Sequence, residues 1–185
     1  MPAGTLAILG SYDATGGAVA AGTGTVRFAA TATGKTLTPG TSSFYNLVFD
    51  SASGGWTING NATSSHDATI ASATSFTLSP NVSLAVLGTF TNSVGGANTT
   101  FANSTLYLNS GSTYSINTKT TGADTYGTLL VGANTDVRVW NSSAATTSVN
   151  STGSLYSQDH AAVDGNLNIY GEYVRTSGTE YWTYA

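Results

Sequence analysis

The residue pattern predicts an all-β chain coiled as a β-solenoid, and three observations carry that prediction. Short apolar–polar alternations of period two recur along all 185 residues, and no stretch carries a sustained 3.6-residue apolar stripe. Clusters of Gly, Asn, Ser and Thr separate them, and these residues accept turn geometry. One heptapeptide pattern recurs three times, which points to units that bury their faces only against neighbours.

The repeat is the strongest of the three. Leu6-Ala7-Ile8-Leu9-Gly10-Ser11-Tyr12 returns as Leu84-Ala85-Val86-Leu87-Gly88-Thr89-Phe90 and again as Leu167-Asn168-Ile169-Tyr170-Gly171-Glu172-Tyr173. The spacings are 78 and 83 residues. Between these landmarks Val26-Arg27-Phe28 answers to Leu106-Tyr107-Leu108, and Phe44 to Phe49 answers to Tyr126 to Val131. Residues 1–185 therefore read as one elongated repeat domain, with units at about 6–83 and 84–166 and a partial third unit at 167–185. The reading is a right-handed parallel β-helix built on a degenerate repeat of about 80 residues. A tandem pair of β-sandwiches or jelly rolls is the alternative. The three glycines are expected to be structurally equivalent, each permitting a bulge or turn after an alternating strand.

Within a unit, Thr25 to Phe28, Tyr45 to Phe49, Thr57 to Ile58, Ser75 to Leu78 and Ser83 to Phe90 read as strands. Pro39 and Pro80 stand at turn-like sites. Most aromatic residues, among them Phe28, Phe44, Phe49, Trp56 and Phe90, fit core stacks on alternating strands. The segment Tyr181-Trp182-Thr183-Tyr184 is different, because neighbouring aromatics there face both ways. Tyr181, Trp182 and Tyr184 are accordingly the candidate interaction surface.

Composition removes several function classes. Charged residues are 8% of the chain, and the five basic residues are scattered, so no basic surface can neutralise a row of phosphates. Nucleic acid is not an expected partner. The chain has no cysteine, which excludes disulfides, thiol catalysis and Cys-based zinc sites. No run of about 20 apolar residues exists to insert into a membrane. The opening, MPAGTLAILGSYD, lacks a basic n-region and a long apolar run, so it does not read as a signal peptide. The expectation is that an export signal has been removed or that the chain is an excerpt.

The ionisable inventory is small. His66-Asp67 and Asp159-His160 are the two histidine sites, each beside an acid, and either pair could be a general base or a metal ligand. Sequence neighbours on a strand point to opposite faces, however, so both pairs read as polar turns. Asp159 with Asp164, or Asp124 with Asp136, could form a glycosidase-type pair, which needs carboxyls roughly 5 to 10 Å apart. Nine acids spread over the whole chain argue against it. No catalytic, cofactor-binding or metal-ligating residue is assigned, no cofactor is expected, and the chain reads as a non-enzyme.

Two polar motifs complete the survey. Thr-x-Thr steps include Thr23-Thr25, Thr31-Thr33, Thr36-Thr38 and Thr118-Thr120. A flat Thr ladder could bind ice, but only with the step repeated on successive rungs in one phase. Six Asn-x-Ser/Thr triplets begin at Asn61, Asn81, Asn98, Asn103, Asn141 and Asn150. A composition this rich in Asn, Ser and Thr yields several by chance.

The block Ser43-Phe44-Tyr45-Asn46-Leu47-Val48-Phe49, the Gly54-Gly55-Trp56 segment and the Leu84 to Asn92 block resemble repeats of very large bacterial cell-surface proteins of the β-helical adhesin and autotransporter-stalk type. The resemblance covers Thr23 to Asn109 and is poorer in the second unit, where Tyr126-Gly127-Thr128-Leu129 stands in place of Phe-Tyr-Asn-Leu. It implies surface scaffolding or adhesion and carries over no catalytic residue. The expected function is a structural or adhesive module of an extracellular or cell-surface protein, a stalk or spacer. Its expected partners are neighbouring repeats or identical subunits end to end, with surface glycans as a further class. The alternatives are a carbohydrate-binding module using exposed aromatics and a self-assembling subunit of an extracellular filament.

Overall fold

Parallel pairing in register organises the whole backbone. The computed structural model describes residues 3–20, 22–109 and 126–130 in full, and beyond them the backbone of the strands named below. The first turn holds β1 (Thr5–Ile8) and β2 (Tyr12–Asp13). The second holds β3 (Thr25–Phe28), β4 (Lys35–Thr38) and β5 (Ser43–Phe44), and the third β6 (Asn46–Asp50), β7 (Gly55–Ile58) and β8 (Ala62–Ser64). The fourth holds β9 (Ala68–Ser72), β10 (Ser75–Leu78) and β11 (Ser83–Val86). The fifth holds β12 (Phe90–Asn92), β13 (Thr99–Thr100) and β14 (Thr105–Leu108). Further strands follow in the same order: β15 (Thr113–Asn117), β16 (Asp124–Tyr126), β17 (Thr128–Val131), β18 (Asp136–Trp140), β19 (Ser148–Ser151) and β20 (Leu155–Ser157). The series ends with β21 (His160–Val163), β22 (Asn166–Ile169), β23 (Tyr173–Arg175) and β24 (Tyr181–Trp182).

Every third strand joins the same sheet. The first side is a nine-stranded sheet, β1-β3-β6-β9-β12-β15-β18-β21-β24. The second is the five-stranded sheet β2-β4-β7-β10-β13, continued in position by β16-β19-β22. The third is the seven-stranded sheet β5-β8-β11-β14-β17-β20-β23, which Ala20 extends by a bridge to Ser43. The chain is thus an all-β, three-sided parallel solenoid. Among the described residues the one helical segment is a single 3₁₀ turn at Gly96–Asn98, and no helix is long and apolar enough to cross a membrane.

Alternation on each strand drives the coil. Val26 and Phe28 on β3, Leu47 and Phe49 on β6, Trp56 and Ile58 on β7, and Leu84 and Val86 on β11 point inward and are buried. The residues between them are half-exposed. A strand with one apolar face cannot stay in water alone, and stacking it on the same face of the next turn buries both. Rings fill the interior across turns: Phe28 stacks on Phe49 at 5.0 Å and 18°, Phe49 meets Phe76 at 4.9 Å, Phe76 meets Phe101 at 5.7 Å, and Phe101 meets Tyr126 at 5.0 Å. The aromatic residues read as core behave so at Phe28, Phe44, Phe49, Trp56 and Phe90.

The backbone period is much shorter than the sequence repeat. Paired residues on adjacent turns of the first side are Thr5 and Thr25, Thr25 and Asn46, Ala68 and Phe90, Thr113 and Asp136, and Asp136 and His160, which is 20, 21, 22, 23 and 24 residues apart. The expected equivalence of the glycine blocks is corrected accordingly. Leu6 to Ile8 lies on the first side, Leu84 to Val86 on the third, and Leu167 to Ile169 on the second. From β11 to β22 the chain advances eleven strands, and from β1 to β11 it advances ten strands plus the Ala20 bridge. Eleven sides are one short of four full turns, so each copy of the block lands on a different side. Gly10 and Gly88 each follow a strand at a corner, but at different corners, and Gly171 lies outside the described residues.

One strand assignment is also corrected. Ser83 to Phe90 is not a single strand: β11 ends at Val86, the corner Leu87-Gly88-Thr89 turns the chain, and β12 begins at Phe90 on another side.

Candidate functional site

Among the described residues, a dense polar cluster lies where the third side turns into the first, around His66. The corner between β8 and β9 is Ser65-His66-Asp67, and Ser64 forms it from beneath. Its Oγ lies 2.8 Å from the Tyr45 carbonyl and 2.7 Å from the Asp67 carbonyl, so a buried hydroxyl ties two turns together. Backbone bonds complete the seat: the N–H of His66 donates to the Tyr45 carbonyl at 3.0 Å, and that of Leu47 to the Asp67 carbonyl at 2.9 Å.

The imidazole of His66 lies flat on the Tyr45 ring, 4.8 Å away with 9° between planes. Its Nδ1 sits 2.9 Å from Oδ1 of Asn46 and 3.1 Å from Oδ2 of Asp67. Both neighbours are acceptors, so Nδ1 carries the proton and Nε2 faces away from them. The other carboxylate oxygen of Asp67 accepts the Thr89 N–H at 2.7 Å, and the Asp67 N–H donates to Asn46 Oδ1 at 3.3 Å. The reading of His66-Asp67 as a polar turn holds, but the expected divergence of the two side chains does not. They occupy a corner, not a strand, and the alternation of faces does not apply.

Gly88 makes this arrangement possible. A Cβ there would stand 2.6 Å from the His66 carbonyl carbon and oxygen and 2.7 Å from Asp67 Oδ1. Only a glycine lets the next turn pass so close beneath the corner. The cluster offers an oriented imidazole, one carboxylate already engaged and a stacked phenol. Among the described residues no group of three His, Cys, Asp or Glu side chains comes together as a metal ligand set.

The remaining candidate residues are dispersed. His160 opens β21 in backbone register with Asp136 of β18, while Asp159 and Asp164 lie outside the described residues. Asp124 opens β16 on the second side and Asp136 opens β18 on the first. Tyr181 and Trp182 form β24, in register with Ala162 and Val163, and Tyr184 lies outside the described residues.

Two features escape sequence reading. The corner from the second side to the third carries Asn81 at φ 63° and Asn103 at φ 57°, both left-handed and exposed. Asn tolerates this conformation, and the strand that follows presents Ser83 or Thr105 outward. The corner thereby generates the Asn-x-Ser/Thr triplets at both positions without any need for modification. A groove of about 480 Å³ runs along it between Asn81, Ser83, Asn103, Thr105 and Thr128. Asn61 lies two residues further along in register, where its Oδ1 accepts the Ser83 N–H at 2.9 Å.

On the second side Thr36 pairs with Thr57, Thr57 with Thr77, and Thr77 with Thr100. Four threonines thus stand in one column over four turns. Only Thr36 belongs to a Thr-x-Thr step, since Asn59, Ser79 and Ala102 follow the other three, so a search for that step finds one rung of the column.

The ion pair on the first side is structural. Arg27 donates from Nε and Nη2 to Asp50 Oδ2 at 3.0 and 2.7 Å, and Ser72 Oγ donates to Asp50 Oδ1 at 2.8 Å. The Ser72 hydroxyl and then Arg27 hold the Asp50 carboxyl below its usual range. Thr15 does the same for Asp13 through its hydroxyl and its N–H.

Comparison of the chain with protein-family models, curated proteins and solved structures found no match among any of them.

Proposed function

We propose that this chain is a structural module of an extracellular or cell-surface protein, serving as a stalk or spacer in the manner of β-helical adhesin and autotransporter stalks. The observation that supports this reading is the unbroken inward column of rings and aliphatic chains from Phe28 to Tyr126. It makes each turn the support of the next along a single axis. Nine paired strands on the first side give a rise of about 38 Å at roughly 4.8 Å per strand. That is a length per residue a spacer can use. Half-exposed polar residues cover the outside, and the partners of this reading are neighbouring repeats or identical subunits end to end, with surface glycans as a second class.

Tandem copies of the chain between a donor and an acceptor fluorophore test the spacer role. A rigid spacer adds a constant distance per copy, whereas a flexible chain grows as the square root of its length. Square-root growth would reject the stalk. Antibody labelling of intact source cells tests the location, with labelling only after permeabilisation as the contrary result.

A further inference from the structure

The corner around His66 gathers more acceptors than protons. Nδ1 of His66 stands 2.9 Å from Oδ1 of Asn46 and 3.1 Å from Oδ2 of Asp67. A neutral imidazole brings one proton to these three atoms, and neither oxygen brings any. Each donor is aimed by the rest of its own side chain. Asn46 gives an Nδ2–H to Thr25 Oγ1 at 3.3 Å, which turns its amide oxygen towards the ring. Oδ1 of Asp67 is taken by the Thr89 N–H at 2.7 Å, which leaves Oδ2 for the ring. The ring itself lies flat on Tyr45. Outer partners that fix the non-ligating atoms of each donor are the mark of a supported metal site.

We propose that His66 Nδ1, Asn46 Oδ1 and Asp67 Oδ2 bind one divalent transition-metal ion, copper(II) or nickel(II), with water completing its coordination. The separations select the geometry. Donors about 2.0–2.2 Å from an ion stand about 2.8–3.1 Å apart at right angles, and about 3.4 Å apart at the tetrahedral angle. The observed 2.9 and 3.1 Å fit the right-angled arrangement and not the tetrahedron of structural zinc. Right-angled nitrogen and oxygen donors suit copper(II) and nickel(II), and the order of divalent affinities puts copper first. The ion takes the place of the proton on Nδ1. That proton moves to Nε2, which faces away from both oxygens, so a neutral imidazole releases none to solvent. The third donor is an amide oxygen, which is why no triple of His, Cys, Asp and Glu marks the place among the described residues. Asn46 opens β6, while His66 and Asp67 form the corner before β9, so the ion joins two adjacent turns.

Isothermal titration of the intact chain with copper(II) chloride tests the site. A His160→Asn background leaves His66 as the one imidazole, and it should take up one ion per chain. Asp67→Asn and Asn46→Ala should each weaken binding at least tenfold, and His66→Gln should abolish it. Asp67→Asn keeps an acceptor for the Thr89 N–H, so its loss of binding is not a loss of fold, and its circular dichroism spectrum should be unchanged. Electron paramagnetic resonance should show a tetragonal centre with a single ring nitrogen. The ion should raise the thermal midpoint, since it binds the folded chain across two turns, and a chelator should reverse the rise. An affinity unchanged by Asp67→Asn or by Asn46→Ala would mean an adventitious ion on Nε2 alone and would overturn the site. Binding that survives His66→Gln, or a midpoint that does not rise, would overturn it as well.

Discussion

The corner at Gly10 and the corner at Gly88 come from nearly the same heptapeptide, and the molecule treats them differently. Around Gly10 an added Cβ would meet nothing within 4 Å, whereas at Gly88 it would strike the backbone of His66. Tyr12, at the end of the first block, is half-buried and touches Phe28 and Phe44 edge-on at 6.3 and 6.0 Å. Phe90, its counterpart, is fully buried. The local pattern specifies strand, corner and strand in both cases. What each residue contributes to stability is decided by the turns around it, and among the described residues these differ between the two blocks.

Ring truncation breaks the comparison most sharply. Phe90→Ala should cost about 3–5 kcal/mol, the usual range for a buried aromatic. Tyr12→Ala should cost about 1–2 kcal/mol, in keeping with its partial burial. Urea midpoints of the two variants measure the gap, and equal losses would mean that the first turn is as well supported as the fifth.

The glycines give a smaller effect of the same sign. Gly88→Ala should destabilise by about 1–3 kcal/mol, since the new methyl can be relieved only by moving the corner beneath which it lies. Gly10→Ala should stay within about 0.5 kcal/mol of the parent. The Gly88→Ala protein should also separate His66 from Tyr45, visible as altered ring chemical shifts of both residues.

The smallest effect concerns acid. Asp13 is held within its own turn by Thr15, whereas Asp50 joins three turns through Arg27 and Ser72. Both carboxyls are lowered in the folded chain, so unfolded chains take up protons first as pH drops. Their stabilisation is complete above the unfolded value of about 3.9 and is lost as pH falls through the lower folded values. Asp50→Asn should therefore reduce the difference in urea midpoint between pH 6 and pH 2.5, and Asp13→Asn should reduce it less. The reverse order would mean that bonds within a turn matter more than bonds between turns.

The fold class was legible because parallel stacking asks little of a sequence: alternation at Val26 and Phe28, or at Leu84 and Val86, with a corner after it. The turn length was not. Paired residues such as Thr5 and Thr25, or Asp136 and His160, are spaced by unequal amounts, so no fixed short period survives in the letters. The longer recurrence of the Leu6 to Tyr12 pattern is visible in the letters, but its three occurrences fall on three different sides. The His66 cluster was half legible. The residues were evident, but the rule that strand neighbours diverge fails at a corner, and only the partner turn brings Tyr45 and Asn46 to the imidazole. The threonine column was hidden for a related reason, since Thr36, Thr57, Thr77 and Thr100 share no flanking motif. Register between turns is a property of the coil and has no counterpart in adjacent letters.

The repeat that advances eleven sides has a consequence for how such a chain can be lengthened safely. Duplicating a segment ordinarily invites trouble in a stacked β architecture, because identical strands laid in register on one another form the template from which amyloid grows. Here a duplicated block is carried round the axis, so Leu6 to Ile8, Leu84 to Val86 and Leu167 to Ile169 never share a sheet. Neighbouring strands differ in sequence as segments, even where one column repeats a residue, as Thr36, Thr57, Thr77 and Thr100 do. The recurring block therefore presents no ladder of its own copies for a misfolded neighbour to extend.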